Sequence, residues 1–255
     1  MYNLNSLEDF RNLRSLDKKN LFKVPNLFQS PDEDYETERG HSEIVDHLLG
    51  FQVDEIEARL LTKAKETSPD GNIKNWGQHI HQGNQTWVGL SLQTLQTPYN
   101  ELRKMCHSLN LKQGDHLVDL GAGYGRLGLI LKYYYPGIRF TGFEYVPERV
   151  EEGNRIFQFY ECSQSTLIEQ DLGSPKFQLP IADYYFLYDY GNLFQMRMTI
   201  NQLENLALNK KFKVIARGHG IRSIIDLEHP WLSQVFPVQR ERLYSVYSMS
   251  SDLIS

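Results

Sequence analysis

Three glycines at alternate positions, Gly121, Gly123 and Gly125, follow the run His116-Leu117-Val118-Asp119-Leu120. Glycine leaves the backbone open to a close-approaching ligand and adopts turns that other residues resist. Asp119 puts a carboxylate two residues ahead of the first glycine, and a second acid, Glu144, comes 21 positions after Gly123. Carboxylates beside such a turn repel a pyrophosphate and attract a ligand that carries positive charge. An acid about 20 residues past the turn accepts hydrogen bonds from both ribose hydroxyls. Together the residue types and spacing point to the binding of a cationic nucleoside.

The elements that must position these residues surround them. Leu117, Val118 and Leu120 suit a short buried strand carrying Asp119. From Leu127 the period changes, and Leu127, Ile130, Leu131 and Tyr134 fall on one face of a helix. Strand, glycine turn and helix form the nucleotide-binding opening of a doubly wound α/β sheet. The dinucleotide fingerprint G-x-G-x-x-G is not met, because the third glycine comes one residue early and Arg126 stands in its place. The segment Val118-Asp119-Leu120-Gly121-Ala122-Gly123-Tyr124-Gly125 resembles motif I of the class I, seven-stranded methyltransferases that use S-adenosyl-L-methionine (SAM). The resemblance implies SAM as cofactor, held by Asp119, Gly121, Ala122, Gly123, Tyr124 and Gly125. It places Glu144 and Tyr145 at the ribose, and Asp171 with Leu172 at the adenine, where Glu169 is a close rival.

A narrower likeness lies upstream. Gln96-Thr97-Pro98-Tyr99-Asn100-Glu101-Leu102 resembles the Glu-Thr-x-Phe-Asp segment of the non-SET lysine methyltransferases, and Thr97 precedes Asp119 by 22 residues, as in that family. This implies cofactor contacts from Thr97 and Tyr99. Where that family has Asn-Asn-Phe after the fourth strand, this chain has Tyr188-Asp189-Tyr190. The likeness makes these three the expected catalytic residues. Asp189 would hold a cationic amine and take up its proton, and the tyrosines would wall the acceptor. The acceptor implied is a protein lysine, with N- or O-methylation of a small molecule as the alternative. The basic histone-binding tail of that family is absent. In Arg217-Gly218-His219-Gly220, His219 is either a base or a loop histidine. Two other readings stand beside this one: a SAM-binding protein without catalysis, and a nicotinamide oxidoreductase that tolerates the early glycine.

The whole chain sets outer bounds. With 255 residues and a net charge of −5, it is not built as a whole to bind nucleic acid or an acidic membrane. Cys106 and Cys162 form no C-x-x-C pair, and no histidine spacing supports a metal. Two reduced thiols, no signal-peptide pattern and no long apolar run make the cytoplasm the expected location.

The expected fold is a doubly wound, mainly parallel seven-stranded α/β sheet with a C-terminal antiparallel hairpin and a helical N-terminal extension. Residues 1–80 form that extension, a lid or substrate-binding part, and 81–255 form the SAM-binding domain. Leu7, Phe10, Leu13 and Leu16 suggest a first helix with Arg11, Arg14, Lys18 and Lys19 on its polar face. Leu21 to Gly40 reads as an irregular, mobile loop or a lid. Asp54 and Glu57 read as a capping box, and Ser68-Pro69-Asp70-Gly71-Asn72 as the boundary turn. Thr97 reads as an N-cap, with Pro98 first in the helix. Strands are expected over 140–144, 166–170, 183–188 and 212–216. Asn192 is expected to cap a helix with Leu193, Met196, Ile200 and Leu203 inward. The closing hairpin is expected from 235–238 and 243–247, joined by Gln239-Arg240-Glu241.

Overall fold

The computed structural model describes residues 4–67, 80–81, 84–85, 87–89 and 96–249. The expected boundary turn at Ser68–Asn72 lies outside the described residues. Five parallel strands form the body of the sheet: β1 His116–Leu120, β2 Arg139–Glu144, β3 Ser165–Glu169, β4 Tyr184–Tyr188 and β5 Lys213–Arg217. Two antiparallel strands close it, β6 Gln239–Arg240 and β7 Tyr244–Ser248. Their order is β3-β2-β1-β4-β5-β7-β6, so the winding reverses between β1 and β4. Asp119 faces that reversal, in register with Gly142 on β2 and Phe186 on β4. In a sheet of this kind a ligand binds at the carboxyl ends of the strands on either side of such a reversal.

Strand residues alternate between two buried layers, as period-two geometry requires. Val118, Leu120, Tyr185, Leu187, Val214 and Ala216 pack with helices α7 Leu193–Ala207 and α8 His219–Glu228. Leu117, Phe140, Tyr184, Phe186 and Ile215 pack on the other side with α4 Tyr99–His107, α5 Arg126–Tyr134 and α6 Pro147–Phe159. The same second layer takes in the N-terminal helices α1 Leu7–Asn12, α2 Tyr35–Leu49 and α3 Val53–Thr67. The segment from 126 to 131 on α5 is consequently buried at every position, charged Arg126 included.

The N-terminal layer departs from the sequence expectation. Leu21, Val24, Leu27 and Phe28 are buried, Lys18–Lys23 is a 3-10 turn, and α2 begins at Tyr35. Much of 21–28 is therefore core and 35–40 is helix, and the irregular surface stretch is confined to about residues 29–34. The acidic run supplies the start of α2, where Asp34 accepts the N–H groups of Glu36 and Thr37 at 3.0 Å each. Apolar periodicity hides α2 because His41, Ser42 and Asp46 lie on its buried side. His41 is neutral there, its pKa pushed down to about 4 by burial.

Two helix starts also differ, and one inward position does not hold. The helix α3 already begins at Val53, and Glu57 is buried rather than capping. Pro98, not Thr97, occupies the cap position of α4, and the Tyr99 N–H donates to Ser42 Oγ on α2 at 3.1 Å. Asn192 does cap α7, but Leu193 is 52% exposed because its position faces out from the first turn. In the hairpin, Gln239 and Arg240 pair with Val246 and Ser245, so the expected connector is itself the strand.

Buried ion pairs join the N-terminal layer to the sheet domain. Arg126 donates Nε and Nη2 to Asp46 of α2, and Tyr99 Oη donates to the same carboxylate at 2.7 Å. Arg149 of α6 donates to Glu57 at 2.8 and 3.1 Å, and Tyr124 Oη adds a bond of 2.9 Å. Removing one partner of such a pair leaves an uncompensated interior charge, at a cost of about 3–5 kcal/mol. Asp46→Ala is expected to lose about that much in urea unfolding, and adding Arg126→Met is expected to recover a large part of it. Equal losses in the single and double variants would show that the charge is not what matters.

Candidate functional site

The glycine turn has the left-handed backbone that its composition suggested, with φ of +85° at Gly121, +54° at Gly123 and +79° at Gly125. A Cβ on Gly121 would stand 2.6 Å from Tyr190 Cβ, so no other residue fits there. The turn is tied to the end of β2. Gly121 and Ala122 both donate to the Phe143 carbonyl at 2.9 Å, and Gly123 donates to Glu144 Oε2 at 3.0 Å. Glu144 Oε1 accepts from Tyr145 and Val146 at 2.9 Å each. Three of the roughly four acceptor positions of this carboxylate are thus filled. Accepting both ribose hydroxyls requires the bond from Gly123 to open.

A small cavity of 30 Å³ lies at the β1/β4 reversal, walled by Gln96, Thr97, Asp119, the turn from Gly121 to Gly123, Arg126, Phe186 and Tyr188. Two or three water molecules need about that space. Asp119 is buried in its wall, and among the described residues no hydrogen bond reaches its carboxylate. Burial, followed by the nearby Glu144 charge, pushes its pKa up to about 8. Arg126 also lines the cavity, with three of its five N–H groups donated to Asp46 and the Thr97 carbonyl.

The fold brings Thr97, Asp119, Gly121, Ala122, Gly123 and Tyr188 together at this cavity, with Glu144 bonded to its edge. Other expected cofactor residues lie apart. Tyr99 and Tyr124 are buried and bonded to Asp46 and Glu57. Gly125 is the cap of α5 and packs against Phe157 and Leu167. Asp171 lies two residues beyond β3, where it accepts the Gly173 N–H at 2.8 Å, and Leu172 is in the core. Tyr145 is half-buried beside Glu144, and Glu169 is exposed.

The three residues expected to be catalytic divide sharply. Tyr188 faces the cavity, and its ring is covered by the Arg217 guanidinium at 4.1 Å, which in turn pairs with Glu101 at 2.8 and 2.9 Å. Asp189, at φ +25°, accepts the N–H groups of Gly220 at 3.1 Å and Ile221 at 2.7 Å. It thereby caps the start of α8, where Gly218 has no side chain to do so. Tyr190 is buried and donates its hydroxyl to Thr199 on α7. His219 is exposed and contacts Ser223 Oγ at 3.3 Å. Among the described residues no cluster of three or more His, Cys, Asp or Glu is placed to hold a metal. None of their helices is long and apolar enough to cross a membrane.

Sequence reasoning missed Asp46 and Arg149, gave Glu57 only a capping role, and saw in Arg126 only a displaced glycine. A signal was present, because Asp46 lies in the register of Ser42, Val45 and Leu49, and Glu57 in that of Val53, Ile56 and Leu60. An acid at i+4 in a buried stripe demands a partner.

No protein-family model matches the chain, and no curated protein does. Solved structures with a similar fold include a precorrin-6y C5,15-methyltransferase from Geobacter metallireducens, at 14% identity over 64% of this chain and 93% of that one, with a TM-score of 0.49. An RNA methyltransferase from Salinibacter ruber, in complex with S-adenosyl-L-homocysteine, shares 17% identity over 63% of this chain and 99% of that one, with a TM-score of 0.45. A SAM-dependent methyltransferase from Aquifex aeolicus shares 14% identity over 58% and 88%, with a TM-score of 0.44. The strand order defines the fold here, and these likenesses assign neither a reaction nor a substrate.

Two substitutions separate the roles at this edge. Folding raises the Asp119 pKa from 3.8 to about 8, so the folded chain holds a proton that the unfolded chain loses. Stability from this group is therefore lost as pH rises through that window. Asp119→Asn is expected to stabilise the chain at neutral pH by on the order of 2 kcal/mol, with no gain at about pH 4, measured by urea unfolding. Asp189→Ala removes a helix cap and is expected to cost about 1–2 kcal/mol in the same measurement. An unchanged midpoint for that variant would free Asp189 for another role.

Proposed function

We propose that this chain is a SAM-dependent methyltransferase. The observation that carries the reading is Asp119, a buried carboxylate without a hydrogen-bond partner among the described residues, set in the wall of a small cavity beside the glycine turn. Such a group is costly unless a cation joins it. The amino-acid end of SAM brings an ammonium, whereas the pyrophosphate of a nicotinamide dinucleotide brings negative charge to the same place. Asp119 would hold that ammonium, Glu144 would bond the ribose, and Asp171 with Leu172 would border the adenine. The cofactor supplies a methyl group already activated on a sulfonium, so the protein's task is alignment of the acceptor and exclusion of water.

The acceptor is a nucleophile that reaches the cavity past Tyr188. A protein lysine is the acceptor drawn from the sequence likeness. It gains no support from Asp189 or Tyr190, whose polar atoms are bonded to α8 and Thr199. Protein and small-molecule acceptors are therefore separate arms of the test.

Calorimetry with SAM, S-adenosylhomocysteine and NADH on wild type and Asp119→Asn tests the cofactor. SAM and S-adenosylhomocysteine are expected to bind in the micromolar range, NADH not at all, and the variant at least about tenfold more weakly. Binding needs Asp119 ionised and the ligand's α-amino group, of pKa about 7.7–8.0, protonated. Affinity is thus expected to rise from acid pH to a maximum near pH 8, with proton release on binding below it. NADH binding with no SAM binding would overturn the proposal. Transfer of a radiolabelled methyl group to protein in cell extracts, or to extracted small molecules, then identifies the acceptor class. SAM binding without transfer to either would favour a regulatory, non-catalytic use of the site.

A further inference from the structure

The cavity holds one polar group that the proposed function leaves unused. Gln96 immediately precedes the Thr97-Pro98 entry to α4 and is 7% exposed, and its amide Nε2 is buried with no hydrogen-bond partner. The side chain lines the cavity together with Asp119, and its Cγ lies 3.9 Å from where a Cβ on Gly123 would be. Buried amide donors are nearly always bonded, so an orphan of this kind in a cavity wall points to a ligand.

The neighbouring backbone donors are spent. Among the described residues, Gly121 and Ala122 donate to the Phe143 carbonyl and Gly123 donates to Glu144. Asp46 and the Thr97 carbonyl take three of the five Arg126 N–H groups. An anionic group entering the cavity therefore finds the unpartnered Gln96 amide beside the Arg126 guanidinium, while a cationic group meets the Asp119 carboxylate. A free amide donor and a guanidinium for an anion, with a carboxylate for a cation, on the walls of one cavity match the two charges of an α-amino acid.

We propose that Gln96 reads the carboxylate of the ligand's amino-acid end, its Nε2 donating to that carboxylate while Asp119 holds the ammonium. The inference rests on the SAM reading above and deepens it. It makes Gln96 the residue that distinguishes SAM from nucleosides lacking the carboxylate.

Three ligands test it by calorimetry: SAM, decarboxylated SAM, which keeps the sulfonium, and 5′-methylthioadenosine, which has neither charged group. Wild type is expected to bind decarboxylated SAM about 10- to 100-fold more weakly than SAM, the worth of a charge-assisted hydrogen bond. Gln96→Leu is expected to weaken SAM by about the same factor and to leave decarboxylated SAM unchanged. Gln96→Glu is expected to weaken SAM further, because two carboxylates then face each other. Equal binding of SAM and decarboxylated SAM by wild type overturns the proposal whatever the variants do. So does an equal loss of both ligands in Gln96→Leu, which would mark a packing role. Tighter SAM binding by Gln96→Glu also overturns it, since the amide oxygen would then be facing the ammonium. Absence of SAM binding in wild type removes the cofactor reading itself, a failure distinct from the other three.

Discussion

The buried pair between Arg126 and Asp46 is the constraint on which the arrangement depends. Arg126 is the first residue of α5, directly after the last glycine of the turn. Its guanidinium binds Asp46 of α2 and the Thr97 carbonyl at the approach to α4, and it lies 5.0 Å from the Tyr99 ring. One interior charge thus fixes three segments that are distant in sequence. A guanidinium cannot give up its proton to escape the interior, so its partner must be built in. The N-terminal layer is therefore part of the fold of the glycine turn rather than an appendage to it.

Asp119 is the opposite case, a charge site left without an interior partner. The sheet needs a buried residue there, because β1 is covered on both faces, and an apolar side chain would serve that purpose without cost. The carboxylate makes the ligand-free chain less stable at neutral pH and in exchange offers a cation a partner in a mostly buried wall. Stability sacrificed at one wall of a cavity is a common mark of a binding site. The same edge of the sheet shows why position alone does not define chemistry. Asp189 and Tyr190 follow β4, at the edge where acceptor groups are expected, yet one completes a helix and the other closes a core. Of that triplet, Tyr188 alone lines the cavity.

Much of the fold was legible from local signals. The alternation of short apolar runs with amphipathic stretches indicated the five parallel strands to within a residue or so and a closing hairpin, but not the helix His219–Glu228, whose start reads as a glycine loop. The signal weakened where buried faces carry polar groups. The helix α2 escaped notice because His41, Ser42 and Asp46 interrupt its apolar stripe, and Leu21 to Phe28 because a 3-10 turn and irregular backbone bury side chains without a period. The hairpin shifted because Gln239 and Arg240 are polar residues on an edge strand, where composition resembles that of a turn.

The sequence by itself determined the glycine turn, the acid inside β1 and the acid ending β2. These depend on spacing along a single strand–turn–helix unit, where backbone geometry follows from residue type. It also indicated a mainly parallel sheet with helices on both faces, through the alternation of strand and helix patterns, while the strand order came from the structure. Only the tertiary structure decided which polar side chains are free. Asp46 and Arg126 are 80 residues apart, Glu57 and Arg149 are 92 apart, and Asp189 meets Ile221 across 32. Whether a carboxylate is a cap, half of an ion pair or an open site is decided by what packs against it. That information lies in contacts between distant segments, which local sequence does not encode.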